Sequence, residues 1–544
     1  MSAADPIFEA VTATGSPFEL TERRGMKCFA NAPESLAQLI EGSRRFGQAE
    51  CIVEGDRRLT FDDVFGLRDA LAAMLQIDPG EHVAICMRNS ANWLIAFLAV
   101  QHAGGVAVLI NSRGAAGDLA DAVHSTKAAL VLADSKRAHL LRDGGYEGRL
   151  FEATDFPTDA KTFDTPPPAS RDDPAVILFT SGTTGQIKGA VLTHENIITG
   201  VLSVQLAGTM VLFNTAAKLG MTPQELIKRL PQQANLLVYP LFHISGLGAS
   251  FLSPFLAGSK IVILPRWDAH EAVKAIARER VTTFSGVPTM LWDILQCATV
   301  DHTELSSLTN VGTGGQSLPI NLLDTMCETC PNAVMGTGYG LTETSGSVAM
   351  AMGEDFLRKR ASCGRKLPLV DMRIQGPDGK DLPPGQAGEI VVRGAQVMQQ
   401  YWDSPDETAA AVSADGWFCT GDIGILDEEG YLFIVDRKKD MVISGGENIY
   451  CAEVERVLTQ MPQVTECATF GIPDDRMGEV LVAIVRADGL TEDEVREHVA
   501  GKLARYKAPV RVAFVDERLP RNQLDKVDKI SLRAKWPEFL KEQN

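Results

Sequence analysis

Between residues 81 and 111 the chain runs from the apolar EHVAICM, through a helical stretch at 93–103, to the apolar AVLIN. Short apolar strands on either side of a helix form a βαβ-like alternation, which calls for a sheet layered with helices. The same rhythm returns in NLLVYP, KIVILP and VTTFSG, alternating with helical segments such as DAHEAVKAIARER. Nearer the start, ESLAQLIEGSRRFG reads as a helix. CIVEGDRRLTFDDVFGLRDALAAMLQ reads as strand, turn, strand and an amphipathic helix capped near Thr60 or Asp62. At 544 residues two or more domains are expected. From about 365 to 435 short strands with Gly-Pro-Asp-Gly and Pro-Pro-Gly punctuation suggest a β-rich subdomain. After GYLFIVDRKKD helices and strands restart, so a boundary is expected near Asp436–Asp440, giving domains 1–436 and 437–544.

Composition removes several function classes. Hydrophobic content of 45% and charged content of 22% are globular values, and a net charge of −18 argues against a general nucleic-acid or acidic-membrane binder. The ten cysteines lack zinc-site pairing; Cys327 and Cys330 form C-E-T-C with no second pair beside them. WLIAFLAVQHAGGVAVLI is too interrupted for a membrane helix and reads as a buried helix, a Gly-Gly turn and a strand. No transmembrane segment and no secretory signal are read, and a cytoplasmic protein is expected.

After the Pro-rich PPPASRDDP comes the strand AVILFT, then the run SGTTGQIKG and a helix, THENIITGVLSV, capped by Thr193. Glycines let backbone N–H groups approach oxyanions, hydroxyls add donors, and Lys188 supplies a positive charge, so a phosphate chain is the natural ligand. The run is not the usual P-loop, because two residues rather than four separate Gly182 from Gly185, and Gly189 follows the lysine. Four further stretches stand out: GTGYGLTETSG (336–346), GWFCTGDIG (416–424), VDRKKDMVISGGENIY (435–450) and LPRNQLDKVDKISLR (519–533). Taken singly each has a plainer reading, as a loop, a turn aspartate or a solvated charged face.

Together, in this order, they resemble the adenylate-forming superfamily of acyl-CoA synthetases, peptide-synthetase adenylation domains and firefly-type luciferases, over about residues 35–535. The resemblance implies an α/β fold: a large N-terminal domain of two βαβ-type layered sheets with a distorted β-barrel subdomain, and a small mobile α+β C-terminal domain. It implies a two-step reaction using ATP, Mg2+ and CoA, in which a carboxylic acid is adenylated with release of pyrophosphate and then passed to a thiol with release of AMP. By that resemblance Thr180, Ser181, Gly182, Thr183, Thr184, Gly185 and Lys188 hold the β- and γ-phosphates. Gly315, Gln316, Ser317, Gly338, Tyr339 and Gly340 frame the adenine, Thr342 touches the α-phosphate, Glu343 binds Mg2+, and Asp422 with Arg437 serves the ribose. Lys526 is the adenylation lysine, Lys439 the hinge, and Gly445, Gly446 and Glu447 lie at the CoA tunnel.

The acid side falls on YPLFHISGLG, FSGVPTM and GTGGQSLP, with His243, Phe284, Val287, Gly312, Gly338, Gly340, Leu341 and Ser345 as the acyl pocket and His243 also counted among the catalytic residues. Amino-acid adenylators tend to carry an Asp where this chain has His243, which shifts weight to plain acids. The glycines suggest a bulky aromatic or medium- to long-chain tail. The segment 208–234 looks longer than the family's common connection. Asp525 stands where the family usually has Gly, which leaves Lys529 as a rival to Lys526 and keeps a nucleotide-binding pseudoenzyme open. An acyl-adenylate former that hands its acid to a carrier protein or another non-CoA acceptor is the alternative to a CoA ligase. Homodimerisation is left open.

Overall fold

The computed structural model describes residues 6–160, 166–181, 187–297, 304–314, 320–521 and 527–541. The chain forms two compact units: the first takes in 1–372, 392–418 and 430–432, the second 373–391, 419–429 and 433–544. The second unit therefore recruits two segments from upstream of the long C-terminal stretch.

In the first unit the βαβ reading is realised. Strands His82–Cys86 and Val106–Leu109 pair in parallel, joined by helix Ala91–His102. Ser90 caps that helix by accepting from the Trp93 N–H at 3.2 Å. All but one of its side chains are buried, as an apolar helix without a polar face requires. The chain then turns through Gly104, whose φ of 80° suits a residue without Cβ. These strands belong to a seven-stranded sheet in the spatial order Gln400–Tyr401, Ile187–Thr193, Pro174–Ser181, Val106–Leu109, His82–Cys86, Leu130–Ala133, Leu150–Glu152.

A nine-stranded sheet lies in the same unit, in the order Arg365–Lys366, Gly346–Met352, Val334–Leu341, Asn310–Gly314, Thr283–Gly286, Ala234–Leu237, Lys260–Ile263, Glu50–Glu54, Arg57–Thr60. Helix Phe61–Leu75 follows the last of these, and Thr60 is its cap. Thr60 accepts from the Asp63 N–H at 3.1 Å while Asp63 accepts from the Thr60 N–H at 2.8 Å.

Thr193 caps its helix as read, but that helix runs on to Lys218, 25 residues in all. Helix Pro223–Arg229 follows, so the 208–234 segment is the distal part of one helix plus a second short one. Among the described residues His194–Lys218 is long and apolar enough to cross a membrane by length and composition; 61% of its apolar window is buried, and it reads as a core helix.

In the second unit the β-rich stretch takes the form of a four-stranded sheet, Asp371–Gln375, Gly388–Arg393, Phe418–Leu426 and Leu432–Arg437, most of whose residues fall there. A five-stranded sheet is built on the long hairpin Val464–Asp474 and Gly478–Ala487. One face is covered by helices Cys451–Leu458 and Glu492–Lys502, and the other by Leu532 and Trp536 of helix Lys529–Lys541.

His194 carries a pH dependence into the first unit. It is 7% exposed, and its Nδ1 accepts from the Leu36 N–H at 3.1 Å. Burial pushes its imidazole down to about 4, whereas an unfolded histidine titrates near 6.5. Between those values the unfolded chain takes up a proton that the native chain refuses, so stability falls as pH drops from about 6.5 to about 4, by up to ~3 kcal/mol. His194→Asn removes that part of the slope. Urea midpoints of both proteins at pH 7 and pH 4.5 check it; parallel losses would assign the slope elsewhere.

Candidate active site

The glycine-rich run does not lead straight into a helix, as the sequence suggests. A second strand, Ile187–Thr193, folds back antiparallel on Pro174–Ser181, and Lys188 lies on that strand opposite Thr180. The apolar part of it, Ala190 to Leu192, is at most 1% exposed. A buried run this short has no helix or strand periodicity to read, which is why the strand escapes notice in the sequence.

The other edge of the strand pairs with Gln400–Tyr401, with Ala190 opposite Tyr401. The segment leading to this pairing is tied down by successive bonds. The Asn196 side chain donates to the Ala395 carbonyl at 2.8 Å, and the Gln396 amide to the carbonyls of Thr344 and Ser347 at 2.9 and 2.8 Å. The Met398 N–H donates to the Glu343 carbonyl at 2.7 Å, and the Trp402 N–H to that of Gly189 at 2.7 Å.

The result is a charged cluster on one aromatic ring. Tyr401, 7% exposed, donates its hydroxyl to Glu343 Oε1 at 2.9 Å. Its ring lies 5.2 Å from the Lys188 ammonium. Lys188 also pairs with Glu407, on helix Pro405–Ala411. Burial first, and the Glu343 carboxylate second, push the Tyr401 phenol well above its ordinary pKa, so it acts as a hydrogen-bond donor.

Glu343 is presented by a tight turn. Strand Val334–Leu341 ends in the 3-10 turn Thr342–Thr344, and the chain reverses through Ser345 (φ 52°) and Gly346 (φ 114°) into strand Gly346–Met352. The Thr344 hydroxyl, fully buried, accepts from the Leu341 N–H at 2.9 Å and lies 2.8 Å from the Gly346 carbonyl, to which it donates. Close packing makes two glycines necessary here. A Cβ on Gly200 would overlap the Ser345 carbonyl, and one on Gly340 would overlap the Gly346 carbonyl.

The neighbouring strands bring Ser285, Gly312 and Gly336 side by side, then Gly314 beside Gly338, and Tyr339 opposite Ala349. Leu341 is half-buried and Ser345 is 3% exposed. Phe284 is fully buried in the core, stacked on Trp267 at 6.0 Å, and half-buried Val287 precedes helix Pro288–Leu295. Half-buried His243 opens the wide-turned helix Ser245–Leu252: its N–H donates to the Pro240 carbonyl at 3.1 Å and its carbonyl accepts from Leu247 at 2.9 Å. Such wide turns recur at functional sites.

In the second unit Asp422, 7% exposed on strand Phe418–Leu426, has its Oδ1 3.6 Å from Arg437 Nε. Lys439 is exposed. Gly445 (φ 58°) and Gly446 (φ 88°) are the two central residues of the hairpin in which Ser444 faces Glu447. A two-residue turn with both φ positive is where glycine is preferred, so their turn role stands beside any ligand role. Lys529, the rival lysine, donates to Glu455 at 2.7 Å; burial works against its charge, but Glu455 outweighs it and its pKa is raised. Asp436 accepts from the Arg437 and Ala452 N–H groups at 2.7 and 3.2 Å, and burial pushes its carboxyl up to about 6.

Gly182, Thr183, Thr184, Gly185, Gly315, Gln316, Ser317, Asp525 and Lys526, and the side chain of Ser181, lie outside the described residues. Tyr401, Glu407 and Gln396 were not found by sequence reasoning. They sit in a stretch with a two-residue strand and no charge or glycine pattern, and the one available signal was the helix start Ser404-Pro405-Asp406-Glu407 just after an aromatic pair.

Among the described residues no group of three or more His, Cys, Asp or Glu could hold a metal ion. A single oriented carboxylate such as Glu343 suits Mg2+, which is usually held by one or two carboxylates together with substrate phosphates.

Residues 40–402 match the family described as AMP-binding enzyme, and residues 453–526 match the AMP-binding enzyme C-terminal domain. A feruloyl-CoA synthase from an Amycolatopsis species is 34% identical over 91% of this chain and 98% of its own. A long-chain-fatty-acid–CoA ligase of Mycobacterium tuberculosis is 32% identical over 88% of this chain and 94% of its own. Among solved structures, the o-succinylbenzoate CoA synthetase of Bacillus subtilis, in complex with its acyl-adenylate intermediate, has a TM-score of 0.78 at 29% identity, covering 93% of this chain and 98% of that one.

The two glycines of the Val334–Leu341 strand should respond unequally to a methyl group. Gly340→Ala drives Cβ into the Gly346 backbone and is expected to cost about 1–3 kcal/mol. Gly338→Ala meets the Ala349 carbonyl and Ser347 Oγ at 3.3 Å and should cost clearly less. Thermal unfolding of both variants decides; equal losses would contradict the packing described.

Proposed function

The chain belongs to the AMP-binding enzyme family, and on that premise we propose that it is an ATP-dependent carboxylic acid–CoA ligase working through an acyl-adenylate. In the first step a carboxylate oxygen of the acid bonds to the α-phosphorus of ATP, the α–β phosphoanhydride breaks, and pyrophosphate leaves. In the second, the CoA sulfur bonds to the acyl carbon, the acyl–phosphate C–O bond breaks, AMP leaves with the electron pair, and the thiol proton is lost. Acid and triphosphate repel each other, so the protein's task is to neutralise and orient.

The observation that carries the reading is the cluster of Lys188, Tyr401 and Glu343. In this reading Lys188 answers the charge of the β- and γ-phosphates and exchanges Glu407 for them. Glu343 turns its carboxylate to the metal of Mg-ATP, which screens phosphate charge when bound. Thr342, at the start of the same turn, faces the α-phosphate, and Tyr339 lies against adenine beside Gly338, Gly340 and the 315–317 residues. Asp422, kept beside Arg437, accepts from the ribose hydroxyls, a role that suits a carboxylate's two oxygens. Lys526 bridges acid and α-phosphate; the engagement of Lys529 by Glu455 supports that choice over its rival. Residues 437–544 form the moving domain of this scheme, pivoting at Lys439, with Gly445, Gly446 and Glu447 at the CoA path.

For the acid we propose a bulky aromatic or medium- to long-chain substrate. The named substrates of the two relatives span those classes. The side-chain-free Gly312, Gly338 and Gly340, and a histidine at 243 in place of a counter-ion for an ammonium group, support it. Free cysteines at all ten positions fit a reducing, cytoplasmic setting. A homodimer is the assembly to compare with a monomer by light scattering.

With ATP, Mg2+, CoA and a panel of fatty and aryl acids, AMP and pyrophosphate should appear together, in step with the matching acid. Release of ADP would rule out the mechanism, and pyrophosphate exchange without CoA consumption would point to another acceptor. Lys526→Ala should slow adenylation by about 100-fold or more while leaving thioester formation from supplied acyl-AMP largely intact. Equal loss in both halves would count against that lysine's role.

A further inference from the structure

Tyr401 occupies a position that the proposed chemistry leaves without a task. It is the last residue of a two-residue strand, held from both sides: its backbone pairs with Ala190, and its N–H donates to the Thr408 hydroxyl at 3.0 Å, itself fixed to the Ser404 carbonyl at 2.8 Å. The phenol then reaches Glu343 Oε1 at 2.9 Å, while the ring face lies under the Lys188 ammonium at 5.2 Å. An almost fully buried side chain thus touches a cation with one part and a carboxylate with another. Losing this side chain would take the aromatic face from Lys188, leaving it to Glu407, and the phenol from the Glu343 carboxylate.

We propose that Tyr401 is a positioning residue for the metal-bound nucleotide: its hydroxyl fixes the plane of the Glu343 carboxylate, and its ring face seats the Lys188 ammonium. The inference rests on the reading of Glu343 as the carboxylate that meets the metal of Mg-ATP and of Lys188 as a phosphate contact. Mg2+ demands near-ideal octahedral geometry, so a ligand with three free torsions gains from one of its oxygens being anchored. The anchor acts through Glu343, and Tyr401 itself touches neither metal nor phosphate in this scheme.

The test is calorimetric and needs no turnover. Binding of a non-hydrolysable ATP analogue is measured with Mg2+ and with EDTA, for the wild-type chain, Tyr401→Phe, Tyr401→Leu, Glu343→Gln and the Tyr401→Phe/Glu343→Gln double variant. Tyr401→Phe keeps the ring and removes the hydroxyl, so affinity in Mg2+ should fall about 10- to 100-fold, with affinity in EDTA unchanged. Tyr401→Leu removes both contacts and should weaken binding in EDTA as well. In the Glu343→Gln background the Phe substitution should add nothing. If Glu343→Gln leaves the Mg2+ effect intact, the metal role of Glu343 fails, whatever Tyr401 does. If Glu343→Gln abolishes the effect while Tyr401→Phe behaves as wild type, or if Tyr401→Phe weakens binding equally in Mg2+ and EDTA, the positioning role is overturned. Should Tyr401→Leu fail to fold, the nearly isosteric Phe variant and the double variant still decide.

Discussion

Strand Ile187–Thr193 is hydrogen-bonded on both edges, to Pro174–Ser181 on one side and to Gln400–Tyr401 on the other. That ladder brings residues around 400 beside residues around 190. The segment 395–402 is then fastened in turn to Asn196, Thr344, Ser347, Glu343, Val191 and Gly189. Backbone amides that are buried must be paired, so this segment has little freedom to shift without orphaning several of them. The ladder sets Lys188 and Tyr401 side by side, and the bond from the Met398 N–H to the Glu343 carbonyl ties the turn that carries Glu343 to the same segment.

The charges in that cluster are managed individually. A buried carboxylate or ammonium is costly unless it is partnered, and here Glu343 has the Tyr401 hydroxyl while Lys188 has Glu407 and an aromatic face. The chain as a whole carries −18, so any affinity for a triphosphate must come from local arrangement and not from bulk charge. Glycine is used for proximity in the same region: Gly200 lets the long helix approach the Ser345 carbonyl, and Gly340 lets the hairpin close on Gly346.

The second unit applies similar physics to a helix end. Helix Cys451–Leu458 has no side-chain cap of its own from Tyr450, and Asp436 supplies one by accepting from the Ala452 N–H. Cys451 stands at the first helical position, where proline is otherwise favoured. It is fully buried and donates its thiol to the Asp440 carbonyl at 3.0 Å. Lys529 and Glu455 complete this network, which fixes the start of helix Lys529–Lys541 against helix Cys451–Leu458.

Much of this architecture was readable along the chain. The strand–helix–strand unit at 82–109, the Thr60 and Thr193 caps and the glycine-bearing turns all rest on local rules of periodicity, capping hydroxyls and φ preference, which act over a few residues and leave their mark in residue type. The family likeness came from the order of several motifs. Strand Ile187–Thr193 was missed because a short buried run has no period, and Tyr401 and Glu407 because their partners lie far away in sequence. Local chemistry thus determined which segments would be helix, strand or turn and which residues carried reactive groups. Only long-range strand pairing decided that Tyr401 should come to lie beside Lys188, since a contact between distant segments is set by the register of a ladder, and register is a property of the packed sheet.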